Sequence, residues 1–268
     1  MKKFFHFVAS RFSENKVIQV AFYIYSAFCL FSFVWFIIGK AFINITFSFV
    51  FLILGFMPFI AEYVCHLKES ASFYISYLIF NALSLLGPAY DVYSFLKSLD
   101  TVIHLFSGFL FAAVGFALGT KFINRDNRPK NNFFGCLLFG IMFCLSCGYI
   151  WELLEYFGTT FFGVDNQEDT LLTSFISYGL SGTRNSVTVV DNISRTVIYY
   201  VDSNGIEHSI VINGWYYDLG LIDTILDMLA CFAGSIIFSI ISLISFSNKK
   251  KFINNYIPKS TSVISIEE

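Results

Sequence analysis

The sequence predicts an all-α integral membrane protein with six transmembrane helices, both termini cytoplasmic, and a small β-rich extracytoplasmic insert between helices five and six. Three observations carry this reading. The chain is 56% hydrophobic and only 13% charged, against about 25% charged residues in an ordinary soluble domain. Its apolar residues, 35 Phe among them, gather into six stretches near the ~20 residues that cross a bilayer. The basic residues collect on one side of those stretches.

The stretches are 17–39, 41–61, 71–87, 101–120, 133–158 and 219–247, the third short and carrying Asn81. Met1-Lys2-Lys3 precedes the first, which lacks a small-x-small cleavage site and reads as a retained helix. An N-terminus placed inside puts Lys2, Lys3, Arg11, Lys16, Lys68, Lys121, Arg125, Arg128, Lys130, Lys249, Lys250, Lys251 and Lys259 in the cytoplasm. That is 13 of 17 basic residues, with Lys40, Lys97, Arg184 and Arg195 left outside. The excess of Lys and Arg on cytoplasmic loops selects this orientation.

The membrane domain, 1–248, thus includes one long outer segment, 159–217, and is followed by a polar cytoplasmic tail, 249–268. Within the outer segment, the apolar run Thr170–Leu180 is expected along the membrane surface. Ser186–Val190, Thr196–Val201 and Ile206–Asn213 are β-prone, separated by Asp191-Asn192 and the turn sequence Asp202-Ser203-Asn204-Gly205. They predict a three-stranded element over 186–213.

Several classes of function are excluded by composition. No basic excess marks a nucleic-acid binder, and there is no Walker loop, G-x-S-x-G elbow or H-E-x-x-H. The six cysteines, Cys29, Cys65, Cys136, Cys144, Cys147 and Cys231, avoid the outer segment and imply no disulfide framework. Cys144 and Cys147 read as small apolar packing within a helix, and Gly108 and Gly115 as points of close helix approach.

Acidic residues remain as the source of chemistry. Asp100 and His104 are spaced i,i+4 at the outer start of helix four, and Glu152 and Glu155 i,i+3 near the outer end of helix five. Asp223 and Asp227 are i,i+4 at the outer start of helix six, with Asp218 just before them. Each pair projects from one face of its helix. An ionisable group within a membrane costs on the order of 3 kcal/mol, so a crowd of carboxylates calls for a divalent cation, shared protons or a water-filled vestibule. Carboxylates with one imidazole suit Zn, Mn, Mg or Ca. His104, Glu152, Asp223 and Asp227 are the candidate ligands. Glu155 is the candidate general base, His104 a second catalytic candidate, and Asp100 and Asp218 are further members or helix N-caps.

Asp100-x-x-x-His104-x-x-x-Gly108, Trp151-Glu152-x-x-Glu155 and Asp223-Thr224-x-x-Asp227-Met228 resemble the motifs of YjdF-like bacterial inner-membrane proteins. They are more distantly similar to those of VanZ-like proteins, which are linked to glycopeptide resistance. The resemblance covers about residues 85–247 and implies a bacterial inner-membrane location. The β insert departs from the shorter family pattern, and Leu219-Gly220-Leu221-Ile222 stands where VanZ-like members tend to carry an Arg.

The functional expectation is a metal-dependent hydrolase or transferase acting on a membrane lipid or lipid-linked envelope precursor. Its alternatives are a cation- or proton-coupled transporter, and a non-catalytic envelope, resistance or immunity protein that uses the β insert to hold a protein partner.

Overall fold

The computed structural model of the chain describes residues 2–123, 132–247 and 255–260. Arg125, Arg128, Lys130 and Lys249–Lys251, which carry much of the charge asymmetry, lie outside them. The described residues form eight α-helices: α1 (Lys2–Glu14), α2 (Lys16–Ile38), α3 (Phe42–Leu54), α4 (Met57–Cys65), α5 (Ala71–Ala89), α6 (Ser98–Ile123), α7 (Phe133–Phe162) and α8 (Leu221–Ser247). With α3 and α4 counted as one broken span, six helices are long and apolar enough to cross a membrane, and they coincide with the six stretches. In α2 only 28% of the apolar window is buried. Much of the rest, including Ile24, Phe31 and Trp35, is exposed hydrocarbon that needs lipid as its solvent.

The chain divides into two compact units, Met1–Glu152 with Asp227–Glu268, and Leu153–Leu226. In the first, α1 is an element to which the sequence reading assigned no structure. Its Val8 and Arg11 are buried, and Phe4 and Phe7 pack on Tyr63 while Phe12 packs on Phe59. Asn15 then accepts hydrogen bonds from the Val17 and Ile18 amides, which ends α1 and starts α2.

The second span breaks at Gly55-Phe56 for a stated chemical reason. Pro58 has no N–H, so the Leu54 carbonyl loses its partner four residues on. Tyr77 of α5 supplies one, its hydroxyl donating to Leu54 O at 3.0 Å, while Tyr74 donates to Gly55 O at 3.2 Å and Tyr25 to Phe51 O at 2.5 Å. Tyr77→Phe strands the Leu54 carbonyl, and a loss of about 1–2 kcal/mol is expected, read as a lower unfolding temperature in detergent. A change below about 0.3 kcal/mol would show that the break does not depend on this donor.

At the far ends of these helices sits a charged network. Arg11 Nε donates to Glu62 at 2.7 Å with both side chains almost fully buried, and Lys68 reaches Glu14 at 2.9 Å. Nearby Glu69 is buried, and burial together with the Glu62 charge holds its carboxyl well above the usual carboxylate range.

Beside this network β1 (Leu67–Lys68) pairs antiparallel with β8 (Lys259–Ser260). The Ser70 hydroxyl donates to the Asn255 carbonyl, and Tyr256 meets Phe109 edge-on at 5.8 Å. A loose tail was expected; its described part, 255–260, is instead held by Tyr256 and Ile257, which pack against the core of the first unit.

The second unit holds β2 (Thr170–Leu172), β3 (Phe175–Ser177), β4 (Thr188–Val190), β5 (Arg195–Val201), β6 (Glu207–Asn213) and β7 (Tyr216–Asp218). They form three antiparallel pairs, β2 with β7, β3 with β4 and β5 with β6, rather than one three-stranded sheet. The β5–β6 hairpin turns where expected. Asp202 Oδ1 accepts from the Asn204 and Ile206 amides, and Gly205 takes φ +80°, the left-handed region. Asp191-Asn192 does not make a second hairpin. Asn192 is left-handed at φ 52° and Ile193 N donates to Thr173 O, so β4 folds back on β3. The run expected along the membrane surface supplies β2 and β3.

Candidate functional site

Helix α6 is set against its neighbours by residues too small to hold them apart. Gly115 and Gly140 bring α6 against α7. Toward α8 the approach is closer still: a Cβ on Gly108 would overlap the Cys231 carbonyl, and one on Gly234 the Leu105 carbonyl. Both Gly108 and Gly115 therefore act as their positions in the sequence suggest.

One turn from the Gly108–Cys231 contact the same two helices present polar side chains. His104 Nε2 lies 3.8 Å from Asp100 Oδ1 and 3.7 Å from Asp227 Oδ2. His104 is 7% exposed and Asp227 3%. One ligand atom from each residue fits within 4.8 Å of the others. The two His104 distances exceed hydrogen-bond length, and leave room for a small ion or a water among three converging groups. The i,i+4 spacing stacks Asp100 over His104 on α6, and the glycine contacts bring Asp227 of α8 to them.

Glu152 of α7 belongs to the same unit and is 5% exposed, with both carboxylate oxygens shut off from solvent. The other predicted residues belong to the second unit, where Glu155 is half-buried. Asp223 Oδ2 accepts from the Glu168 amide at 2.9 Å, and Gln167 donates to the Thr224 hydroxyl at 2.9 Å. These bonds tie the 165–169 segment to the start of α8. Asp218 Oδ2 accepts from the Ile222 amide at 2.7 Å, so it satisfies a donor of the first turn of α8, the capping role weighed for it above. Asp169 has its carboxyl pushed up, by burial first and then by the charges of Asp165 and Asp218.

Asp218→Ala removes the acceptor for Ile222 N–H. A local loss of about 1 kcal/mol is expected, seen as faster amide exchange over 219–224; unchanged exchange there would remove the capping role.

The compact trio is thus Asp100, His104 and Asp227. Two of the expected ligands, His104 and Asp227, are in it. Asp100, first set among the further members, joins them, and Asp223 has a backbone partner of its own. The i,i+4 spacing of Asp100 to His104 was the available signal.

Fold and site together define a multi-pass membrane protein with a buried Asp/His cluster. The sequence profile of the family described as "Predicted membrane protein (DUF2238)" matches residues 21–248. The chain belongs to this family, the YjdF-like one, and the match extends well N-terminal of the motifs that first suggested it. It carries no link to VanZ-like proteins. No curated protein and no solved structure matches the chain.

Proposed function

We propose that the protein is a membrane-embedded, metal-dependent enzyme of the bacterial inner membrane, acting on a lipid or lipid-linked cell-envelope precursor at the outer leaflet. The observation that carries this reading is the trio itself. Two carboxylates and an imidazole converge within 4.8 Å in an apolar bundle. Such a cluster is costly in lipid unless something offsets its charge.

The donor set is hard to borderline and fits Mg, Mn, Ca or Zn. Asp100, His104 and Asp227 would hold the ion, with Glu152, a buried carboxylate of the same unit, a candidate for a further ligand. A divalent ion there supplies Lewis acidity and a water acidified toward neutrality. Glu155 and Asp223 are assigned to substrate and proton handling. The orientation follows the charge asymmetry of the sequence, with both termini cytoplasmic and the strand pairs outside. A protein partner would find its surface on the β5–β6 hairpin, where Tyr199, Val201, Ile206 and Ile210 are exposed.

A transport route has less support. Past the trio, Leu110, Ala113, Phe116, Cys144 and Phe238 are packed together. The described parts of α6 from Leu105 to Thr120, α7 to Trp151 and α8 beyond Asp227 carry no charged residue.

The test is metal analysis of the purified chain with its co-purified lipids. About one divalent ion per chain is expected in the wild type, and none in Asp227→Asn or His104→Asn. A metal content equal in wild type and variants would remove the reading.

A further inference from the structure

One turn past the trio lies a group of side chains that the proposed chemistry leaves unused. Cys144 of α7 and Cys231 of α8 are fully buried free thiols with their Sγ atoms 3.3 Å apart. Cys231 follows Asp227 by four residues, and its sulfur is 4.0 Å from the Ser107 hydroxyl of α6. A third sulfur joins them because Gly148 has no side chain. A Cβ at that position would stand 3.3 Å from both Cys231 Sγ and Met228 Sδ. Met228 is the last residue of the Asp223-Thr224-x-x-Asp227-Met228 motif, so adjacent residues of α8 serve two different clusters.

We propose that Cys144, Cys231 and Met228 form a second metal site, for a soft monovalent ion, Cu(I), distinct from the oxygen- and nitrogen-lined trio. Thiolate and thioether sulfur select Cu(I), whereas carboxylate and imidazole serve harder or borderline divalent ions. Charge agrees with this choice. As the ion binds, one thiol gives its S–H proton to solvent and the resulting thiolate–Cu(I) unit is neutral. The second thiol and the thioether complete the coordination without adding charge, as a site surrounded by hydrocarbon requires. No electron is transferred. The competing reading is that two buried thiols are small apolar packing; it predicts no ion at all.

The experiment uses the full chain purified in detergent without oxygen or thiol reductant, titrated into the coloured bicinchoninate complex of Cu(I). Wild type is expected to withdraw one Cu(I) per chain. Cys144→Ser and Cys231→Ser should each weaken binding at least tenfold, while Cys147→Ser and His104→Asn should leave it unchanged. The His104 variant separates this site from the trio, so the failure of one reading is distinguishable from that of the other. X-ray absorption of the copper-loaded wild type needs no variant and should show sulfur neighbours alone. Three results would overturn the proposal: no withdrawal by wild type, equal withdrawal by the Cys144→Ser/Cys231→Ser double variant, or oxygen and nitrogen around the bound copper.

Discussion

Replacing Arg11 with Met is expected to cost about 3–5 kcal/mol, the range for stranding one partner of a buried ion pair. Arg11 and Glu62 are 5% and 3% exposed and meet at 2.7 Å. Glu62 sits in the last turns of a span, where water cannot take over the lost contact. Arg11 also binds Glu14 and the Glu69 carbonyl, so α1 loses its anchor at three points. The double variant Arg11→Met/Glu62→Leu should recover most of the loss, because paired apolar replacements remove the desolvation penalty along with the attraction. Thermal unfolding of both in detergent checks this. A single-variant loss under about 1 kcal/mol would mean that α1 is held by its Phe contacts and not by the pair.

The second large effect belongs to Gly234. A Val there drives its Cβ into the Leu105 carbonyl, which is backbone and cannot turn aside. Helices α6 and α8 must separate, at a cost of about 3 kcal/mol or more, above the common range for overpacking. The same separation pulls Asp227 from His104, so any divalent metal should be lost with the stability. Gly119→Ala is the control, since its Cβ would meet Cys136 Cα at 3.3 Å, a contact that a few tenths of an ångström relieve. Its loss is expected under about 1 kcal/mol. Equal effects at Gly234 and Gly119 would show that the α6–α8 approach is not what assembles the trio.

The spans were legible because length and apolarity alone define them, and the Asp100–His104 pair because its i,i+4 spacing stacks the two on one face of α6. What stayed hidden depended on partners distant in sequence. The Asp223 acceptor is used by the Glu168 amide, 55 residues away, and no spacing within α8 announces that. The strands β4, β5 and β6 fall in runs read as β-prone and β3 does not, but pairing is set by where the chain turns, and Asn192 turned β4 away from β5. Helix α1 was missed because its Phe residues are interrupted by charges and its length falls short of a span. Its helicity comes from packing on Tyr63 and Phe59, which helices of that length generally need.

The pairing of β1 with β8 bears on biogenesis. Leu67 and Lys68 leave the ribosome ahead of four of the six spans, whereas Lys259 and Ser260 follow the last of them. During synthesis, therefore, the β1 backbone waits with an unpaired edge, which any extended segment can occupy. Closure by β8 comes after insertion of all six helices and reports that insertion is complete. A chain stopped after α8 would carry every spanning helix and every residue of the trio, yet present that open edge to chaperones and proteases.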